Sequence, residues 1–385
     1  MGIYKELGVR RVINGEGTKT HLGGSIPDVR VMDAMKEASQ SFVIMMELIE
    51  KTGEVIAEYT GAEDGIVTSC SYASMTLAVA ATIMKGSGLE EFDVRPVERL
   101  SLDKEWLHIT QRLPDTSWSK NEVVIQRGHH NAFDHAYKVP GSKLVLIGNE
   151  NTCSENELKA AINDKTAAVT FAPRFEAKGL PLEKVLKIAS KHEVPVIIDA
   201  ASELPPRSNL KKFISMGADL VIFSGGKHIS GPNDTGILCG KKDLIKLAKL
   251  QAAPYRGIGR GMKVDRTQIV GQIVALRLWS DRNEEEEFER WRTKAQWMTD
   301  EMKGTFGVLK SEVFAEERRN RVFSHIILEG DEASASQVVL NLRRGDPSIW
   351  VTYKGDSKIE IDPSNLKDEE EKIVVSALKK VIKNS

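Results

Sequence analysis

Cysteine is scarce in this chain: three in 385 residues, Cys70, Cys153 and Cys239, each in or beside an apolar segment. Their spacing offers neither a metal knuckle nor a disulfide framework, which points to a reducing compartment, the cytoplasm. An excess of one charge is missing too. Lys and Arg number 54 against 55 Asp and Glu, a formal net charge of −1, so no bulk bias calls for nucleic acid or an anionic membrane. No apolar run reaches the roughly 20 residues that a membrane-spanning helix needs. The first residues, MGIYKELGVRRVING, lack the apolar centre of a signal peptide. Glu6 stands where a myristoylation signal carries Ser or Thr. The spacing of His129, His130 and His135 matches no familiar zinc motif. There is no internal repeat and no low-complexity tract. These absences exclude a disulfide-stapled secreted scaffold, a membrane-spanning protein and a zinc hydrolase of HExxH type. The length still allows two domains and a large core.

What is present begins with two apolar runs that end on chemistry. Leu220-Val221-Ile222-Phe223 leads into Ser224-Gly225-Gly226-Lys227, and Ile237-Leu238-Cys239 follows after a Gly- and Pro-rich turn. The pattern predicts buried strand, tight turn, buried strand. A lysine just past a buried strand, with glycines beside it, can approach a ligand closely and lose hydration. That frees its amine as a nucleophile or base, as a Schiff-base lysine requires. Upstream, Val196-Ile197-Ile198 ends on Asp199. An acid at the carboxyl end of a parallel strand lies where open α/β sheets bind ligands. An Asp that pairs with a pyridine nitrogen keeps the ring protonated and so an electron sink. Asp199 and Lys227 together therefore suggest pyridoxal phosphate (PLP).

Other segments fit around that pair. Cys70, Ser71 and Tyr72 open the apolar helix expected over 75–84, and a helix start can bind phosphate. The strand 123–126 runs into Arg127-Gly128-His129-His130, where a flat imidazole could stack on an aromatic ring. Helix-like 155–163 and 181–192 alternate with strands at 143–147 and 167–171, so residues 60–240 read as a largely parallel α/β sheet. The expected division is an arm over 1–30 and a large domain over 31–265. A linking helix and small α+β domain follow over 266–385, with half-buried strands near 322–328, 349–353 and 359–361. A charged stretch at about 88–108 reads as an insertion or lid. The basic, Gly-rich Tyr255–Lys263 could meet a phosphate or carboxylate.

The order of these features resembles PLP enzymes of fold type I, the aspartate aminotransferase-like fold. The phrases RRVINGEGTKTHLGGS, QRGHHNAFDHAY, VIIDAASELPP, SGGKHISGPNDTGILCGKKDLI and GRGMKVDRTQIVGQIVAL narrow the likeness. They resemble the selenocysteine synthase-like branch, and within it the D-glucosaminate-6-phosphate ammonia-lyase group. The resemblance implies that Lys227 holds PLP as a Schiff base and then serves as acid and base. It implies that Asp199 pairs with the pyridinium and that His129, rather than His130, stacks on the ring. It assigns the cofactor phosphate to Cys70, Ser71, Tyr72 and Ser224, and gives Arg260 and Lys263 either an anionic substrate group or, across a dimer, the cofactor phosphate. Arg174, Arg207, Arg256, Arg343 and Arg344 are all open for the substrate carboxylate. Cys70, Ser71 and Tyr72 depart from the branch, where small Gly and Ala residues are usual, and the bulky Tyr72 would protrude into the substrate space. The implied reaction is loss of water and ammonia from a β-hydroxy amino acid or amino sugar acid, giving a 2-oxo acid. A selenium transferase acting on seryl-tRNA, a PLP racemase or aldolase, and a scaffold that has lost catalysis are the competing readings. The net charge gives poor support to a tRNA substrate. The fold implies a homodimer or a higher even-numbered oligomer.

Overall fold

Seven strands between residues 64 and 240 make one sheet. In spatial order they are Asp64–Thr68, Gly236–Gly240, Leu220–Ser224, Val196–Asp199, Thr166–Phe171, Glu122–Gln126 and Lys143–Ile147. Only Gly236–Gly240 runs against its neighbours; the other pairings are parallel. This computed structural model describes residues 2–92, 104–330 and 332–383.

The central strands are apolar on both faces because helices cover both. Leu220, Val221, Ile222 and Phe223 are each 0% exposed, and such side chains contribute about 1.5–3 kcal/mol apiece on burial. The helix Ser71–Met84 is buried from Ala73 to Met84, the all-round apolar pattern of a helix inside a core. Leu182–Lys191 shows the other pattern: Leu182, Val185, Leu186, Ile188 and Ala189 are buried while the opposite face is solvated. Ser154 and Glu157 form a reciprocal capping box that starts the helix Glu155–Ala161. The expected insert at 88–108 falls largely outside the described residues. At its edges are a turn at Leu89–Glu91 and a helix at Lys104–Thr110, with Phe92 and Trp106 in edge contact at 5.1 Å.

The chain divides into two compact units, 27–281 and a smaller one made of the first 26 residues together with 282–385. The helix Arg266–Asp281, which the sequence reading set with the C-terminal part, packs on Val29–Ser39 within the larger unit. In the smaller unit four antiparallel strands lie in the order Thr352–Tyr353, Lys358–Ile361, Arg321–Leu328, Val308–Glu316. The helix Glu284–Met302 covers them with Trp291, Ala295, Met298 and Met302. Two strands escape the sequence pattern. Val308–Glu316 carries charges among its apolar residues and no residue of it is fully buried. Val12–Asn14 is only three residues long and pairs in parallel with Ser348–Trp350.

Candidate active site

Asp199 is the last residue of its strand and stands in register with Ile222 of the strand that leads to Lys227. Its Oδ1 accepts a hydrogen bond of 3.2 Å from the Ala201 N–H. Burial pushes its carboxyl above the usual range, opposed by that N–H and by the charges of Lys227 and Arg174. Lys227 is half-buried and donates from Nζ to Ser202 Oγ at 3.3 Å. Ser202, three residues past Asp199, is a contact the sequence did not suggest; its only signal is its place in the turn after the strand-end acid. Lys227 and Asp199 thus share one site, as their strand-end positions predict.

His129 closes the turn that follows Glu122–Gln126 and is 2% exposed. Its Nδ1 accepts from the Ala172 N–H at 3.3 Å, so the ring proton sits on Nε2. The ring meets Phe171 edge-on at 4.7 Å. Burial lowers the imidazole to about 4, against an opposing backbone contact at Phe175. His129 is therefore neutral at physiological pH. His130 differs: half-exposed, its Nδ1 lies 2.6 Å from the buried Asp134 carboxylate. His130, Asp134, His135 and Lys138 line an open groove of about 390 Å³.

Cys70, Ser71 and Tyr72 open the helix Ser71–Met84, as expected. Cys70 has φ 149° and ψ 171°, a region that glycine favours and that costs another residue roughly 1–3 kcal/mol. Its carbonyl is fixed by the Ser74 N–H at 3.0 Å and the Thr68 hydroxyl at 2.9 Å. A Cβ built on Gly236 would lie 2.5 Å from the Cys70 carbonyl carbon and 2.7 Å from Ser71 N. Only glycine lets that strand approach the helix start so closely. Gly236 faces Thr68 on one side and Ser224 on the other. The register therefore brings Ser224 beside the Cys70–Ser71 backbone. Tyr72 turns its hydroxyl to His135 Nδ1 at 2.8 Å. Arg260 and Lys263 are exposed on their loop, which Gln251 anchors by accepting the Ile258 N–H at 3.0 Å. Of the open arginines, Arg174 is the one whose charge reaches Asp199. Arg343 is held by Glu16 at 2.6 Å and lies over the Trp350 ring at 4.4 Å.

The profile described as "SelA: L-seryl-tRNA selenium transferase" matches residues 113–302. A D-glucosaminate-6-phosphate ammonia lyase of Salmonella typhimurium is 36% identical over 281 residues, 71% of this chain and 69% of that protein. A 5'-C-glycyluridine monooxygenase-decarboxylase of Streptomyces sp is 31% identical over 400 residues, 98% of this chain and 92% of that protein. The solved structure of a D-glucosaminate-6-phosphate ammonia-lyase superposes with TM-score 0.83 at 28% identity, over 100% of this chain and 99% of that one. A serine palmitoyltransferase from S. paucimobilis shares the fold, with TM-score 0.59 at 14% identity over 97% of this chain and 88% of that one.

The residues in place fit PLP. Asp199 would offer a half-buried carboxyl to a ring nitrogen, and Lys227 an amine to its aldehyde. Gly236 lets its strand pack closely against the helix start at Cys70–Ser71, and a helix N-terminus is suited to phosphate. His129 Nε2 is buried with no hydrogen-bond partner among the described residues. Architecture, site and relatives agree, and the chain belongs to the selenocysteine synthase-like (SelA) family of fold type I PLP-dependent enzymes.

Proposed function

We propose that this enzyme is an ammonia-lyase that removes water and ammonia from a β-hydroxy amino acid or amino sugar acid, giving a 2-oxo acid. The observation that carries the reading is the shared site of Lys227 and Asp199 in a chain 36% identical to a lyase of that kind. PLP, when bound, supplies an electron sink for the substrate α carbon. The protein does the rest. Asp199 holds the ring nitrogen protonated. Lys227 carries the cofactor, then takes the α proton on Nζ, with the Ser202 hydroxyl orienting that amine. His129, neutral and pinned by the Ala172 N–H, supplies a flat face to the ring without adding charge. Cys70, Ser71 and Tyr72 present helix-start N–H groups to the phosphate, and Ser224 adds a hydroxyl. Arg260 and Lys263, exposed and basic, are assigned to an anionic group of the substrate. The SelA profile covers the part of the chain that holds Asp199 and Lys227. It does not by itself select a tRNA substrate, and the net charge of −1 weighs against one.

One observation favours a second reading. The monooxygenase-decarboxylase relative spans 98% of this chain, against 71% for the lyase. Oxidative decarboxylation would consume oxygen and release carbon dioxide, and elimination does neither. The deciding experiment is an assay of PLP-loaded protein on D-glucosaminate with and without 6-phosphate and on D- and L-serine and threonine. Release of 2-oxo acid and ammonia without oxygen uptake is expected from at least one substrate. Oxygen uptake with carbon dioxide release would transfer the assignment to the second reading.

We assign the enzyme to the cytoplasm and to a homodimer. Cys70, Cys153 and Cys239 are all free thiols, and among the described residues no helix is long and apolar enough to cross a membrane. In the larger unit Val29, Met32, Phe42, Val43 and Ile44 are exposed, Phe42 at 98%. An apolar stretch of that kind is what a second copy would cover. Light scattering is expected to give twice the chain mass, and Phe42→Asp to shift the protein toward monomer. A wild-type monomer at micromolar concentration with full activity would contradict the assignment.

A further inference from the structure

The loop that carries Lys227 is tied to itself by backbone bonds. Gly225 N–H donates to Thr235 O at 2.9 Å, Gly231 N–H to Gly225 O at 2.9 Å and Ser230 N–H to Lys227 O at 2.8 Å. A second element grips the base of this knot. The helix Arg266–Asp281 sends Gln272, 0% exposed, against it. A Cβ on Gly225 would fall 2.6 Å from the Gln272 amide carbon, and one on Gly231 2.9 Å from it. The Gln272 side chain thus packs directly against both glycines. One turn earlier on the same helix, Gln268 donates to the Asp234 carboxylate.

The polar contacts at Gln272 fix its orientation. The Thr235 hydroxyl stands 2.6 Å from the Gln272 Oε1 position and also 2.6 Å from Pro232 O. The hydroxyl has one proton and can point it squarely at only one of them. With Oε1 on Thr235, moreover, Gln272 Nε2 is buried without a partner among the described residues. Turning the amide over removes the conflict: Nε2 donates to Thr235 Oγ1, and the hydroxyl donates to Pro232 O. Turned over, the amide leaves one N–H and Oε1 unpaired in place of two N–H groups, the smaller loss in folded proteins, so the relay Gln272–Thr235–Pro232 is the favoured state. It closes the loop at the end opposite Lys227.

We propose that Gln272 is a positioning residue for Lys227, acting through Thr235 to hold the 225–235 loop in the geometry from which the amine reaches the cofactor. The inference rests on the assignment of Lys227 as the cofactor-bearing lysine. Gln272 itself touches neither cofactor nor substrate. Its amide packs at the base of the loop, and the loop sets where the Lys227 backbone lies. Displacements of about 1 Å at a reacting group can cost on the order of 10²-fold in rate.

The test uses Gln272→Leu, which keeps the volume, Thr235→Val, which removes the hydroxyl, and Thr235→Ser, which keeps it. The first readout is hydrogen exchange of the Gly225, Gly231 and Thr235 amides in the cofactor-free protein. Gln272→Leu and Thr235→Val are expected to speed exchange at least about 10-fold, Thr235→Ser to leave it near wild type, and the double variant to add little to either single one. The second readout is borohydride trapping of PLP on Lys227, with kcat and KM. The same two variants are expected to trap more slowly and to lose about 10- to 100-fold in kcat, with KM within about threefold. A lower melting temperature with unchanged exchange and trapping would reduce Gln272 to a packing residue and overturn the inference. A wild-type protein that traps no cofactor on Lys227 would instead sink the site assignment, while exchange would still decide what Gln272 does to the loop.

Discussion

Asp199→Asn is expected to lower kcat by at least about 10³-fold while cofactor affinity changes by no more than about tenfold. The two numbers separate because the substitution keeps shape and removes charge. Asparagine fills the same space at the strand end and can still accept the Ala201 N–H that now bonds Oδ1 at 3.2 Å. The phosphate cradle proposed at Cys70–Tyr72 and the amine of Lys227 are untouched, so most of the proposed binding contacts remain. What is lost is the negative charge that favours a protonated ring nitrogen. In this site burial already disfavours the carboxylate, and Lys227 and Arg174 pull the other way. A ring cation beside Asp199 completes that balance, and the carboxylate in turn holds the proton on the ring. An interaction of about 4 kcal/mol realised only as charge develops corresponds to 10³ in rate. A charge-assisted pair in a desolvated site reaches that size. Absorbance titration with PLP and steady-state kinetics measure the two effects separately. Turnover within tenfold of wild type would sink the pairing of Asp199 with the ring. Loss of cofactor in step with turnover would make Asp199 a binding residue instead.

The parts of this site that were legible in the sequence share one property: each ends a continuous apolar run. Val196–Asp199 and Leu220–Ser224 are apolar on both faces because the parallel sheet is covered on both sides, so their first polar residues mark strand ends. The helix at 71–84 was legible for the same reason. Contacts that close over distance in the chain were not. Ser202 meets Lys227 across 25 positions, and Thr235 meets Gln272 across 37. Neither serine nor glutamine carries a periodic signal that would single it out. The two adjacent histidines are a milder case. Both follow the same strand, and only the packed structure separates a buried His129 against Phe171 from a half-exposed His130 held by Asp134. The strand Val308–Glu316 was missed because it is an edge strand whose burial is partial throughout. Residues with water on one side need not alternate cleanly.

The largest stability effect is expected at Lys249, a residue no motif marks. Its ammonium is 7% exposed and sits 2.7 Å from Asp64 Oδ2, a carboxylate exposed by 9%, and 3.0 Å from Glu50 Oε2. The three residues come from a helix, the edge of the sheet and a second helix, 185 positions separating Lys249 from Asp64. Gly53 shows how tightly they are packed: a Cβ there would fall 2.4 Å from Asp64 Oδ1 and 3.0 Å from Lys249 Nζ. Asp64 Oδ1 also accepts the Gly65 N–H at 2.7 Å, which further holds the carboxylate in place. Lys249→Met keeps most of the buried stem and removes only the charge. Asp64 is then left in the interior without its counter-charge, because Glu50 is another acid. Breaking one side of a buried pair costs about 3–5 kcal/mol. For a unit of this size that is a fall of roughly 5–15 °C in melting temperature. Replacing both partners removes the orphaned charge along with the pair, so Asp64→Asn with Lys249→Met is expected to lose less than the sum of the single variants. Thermal unfolding of the three variants measures both claims. A loss below about 1 kcal/mol in Lys249→Met would mean that water reaches Asp64 and that the triad is a surface pair in energetic terms.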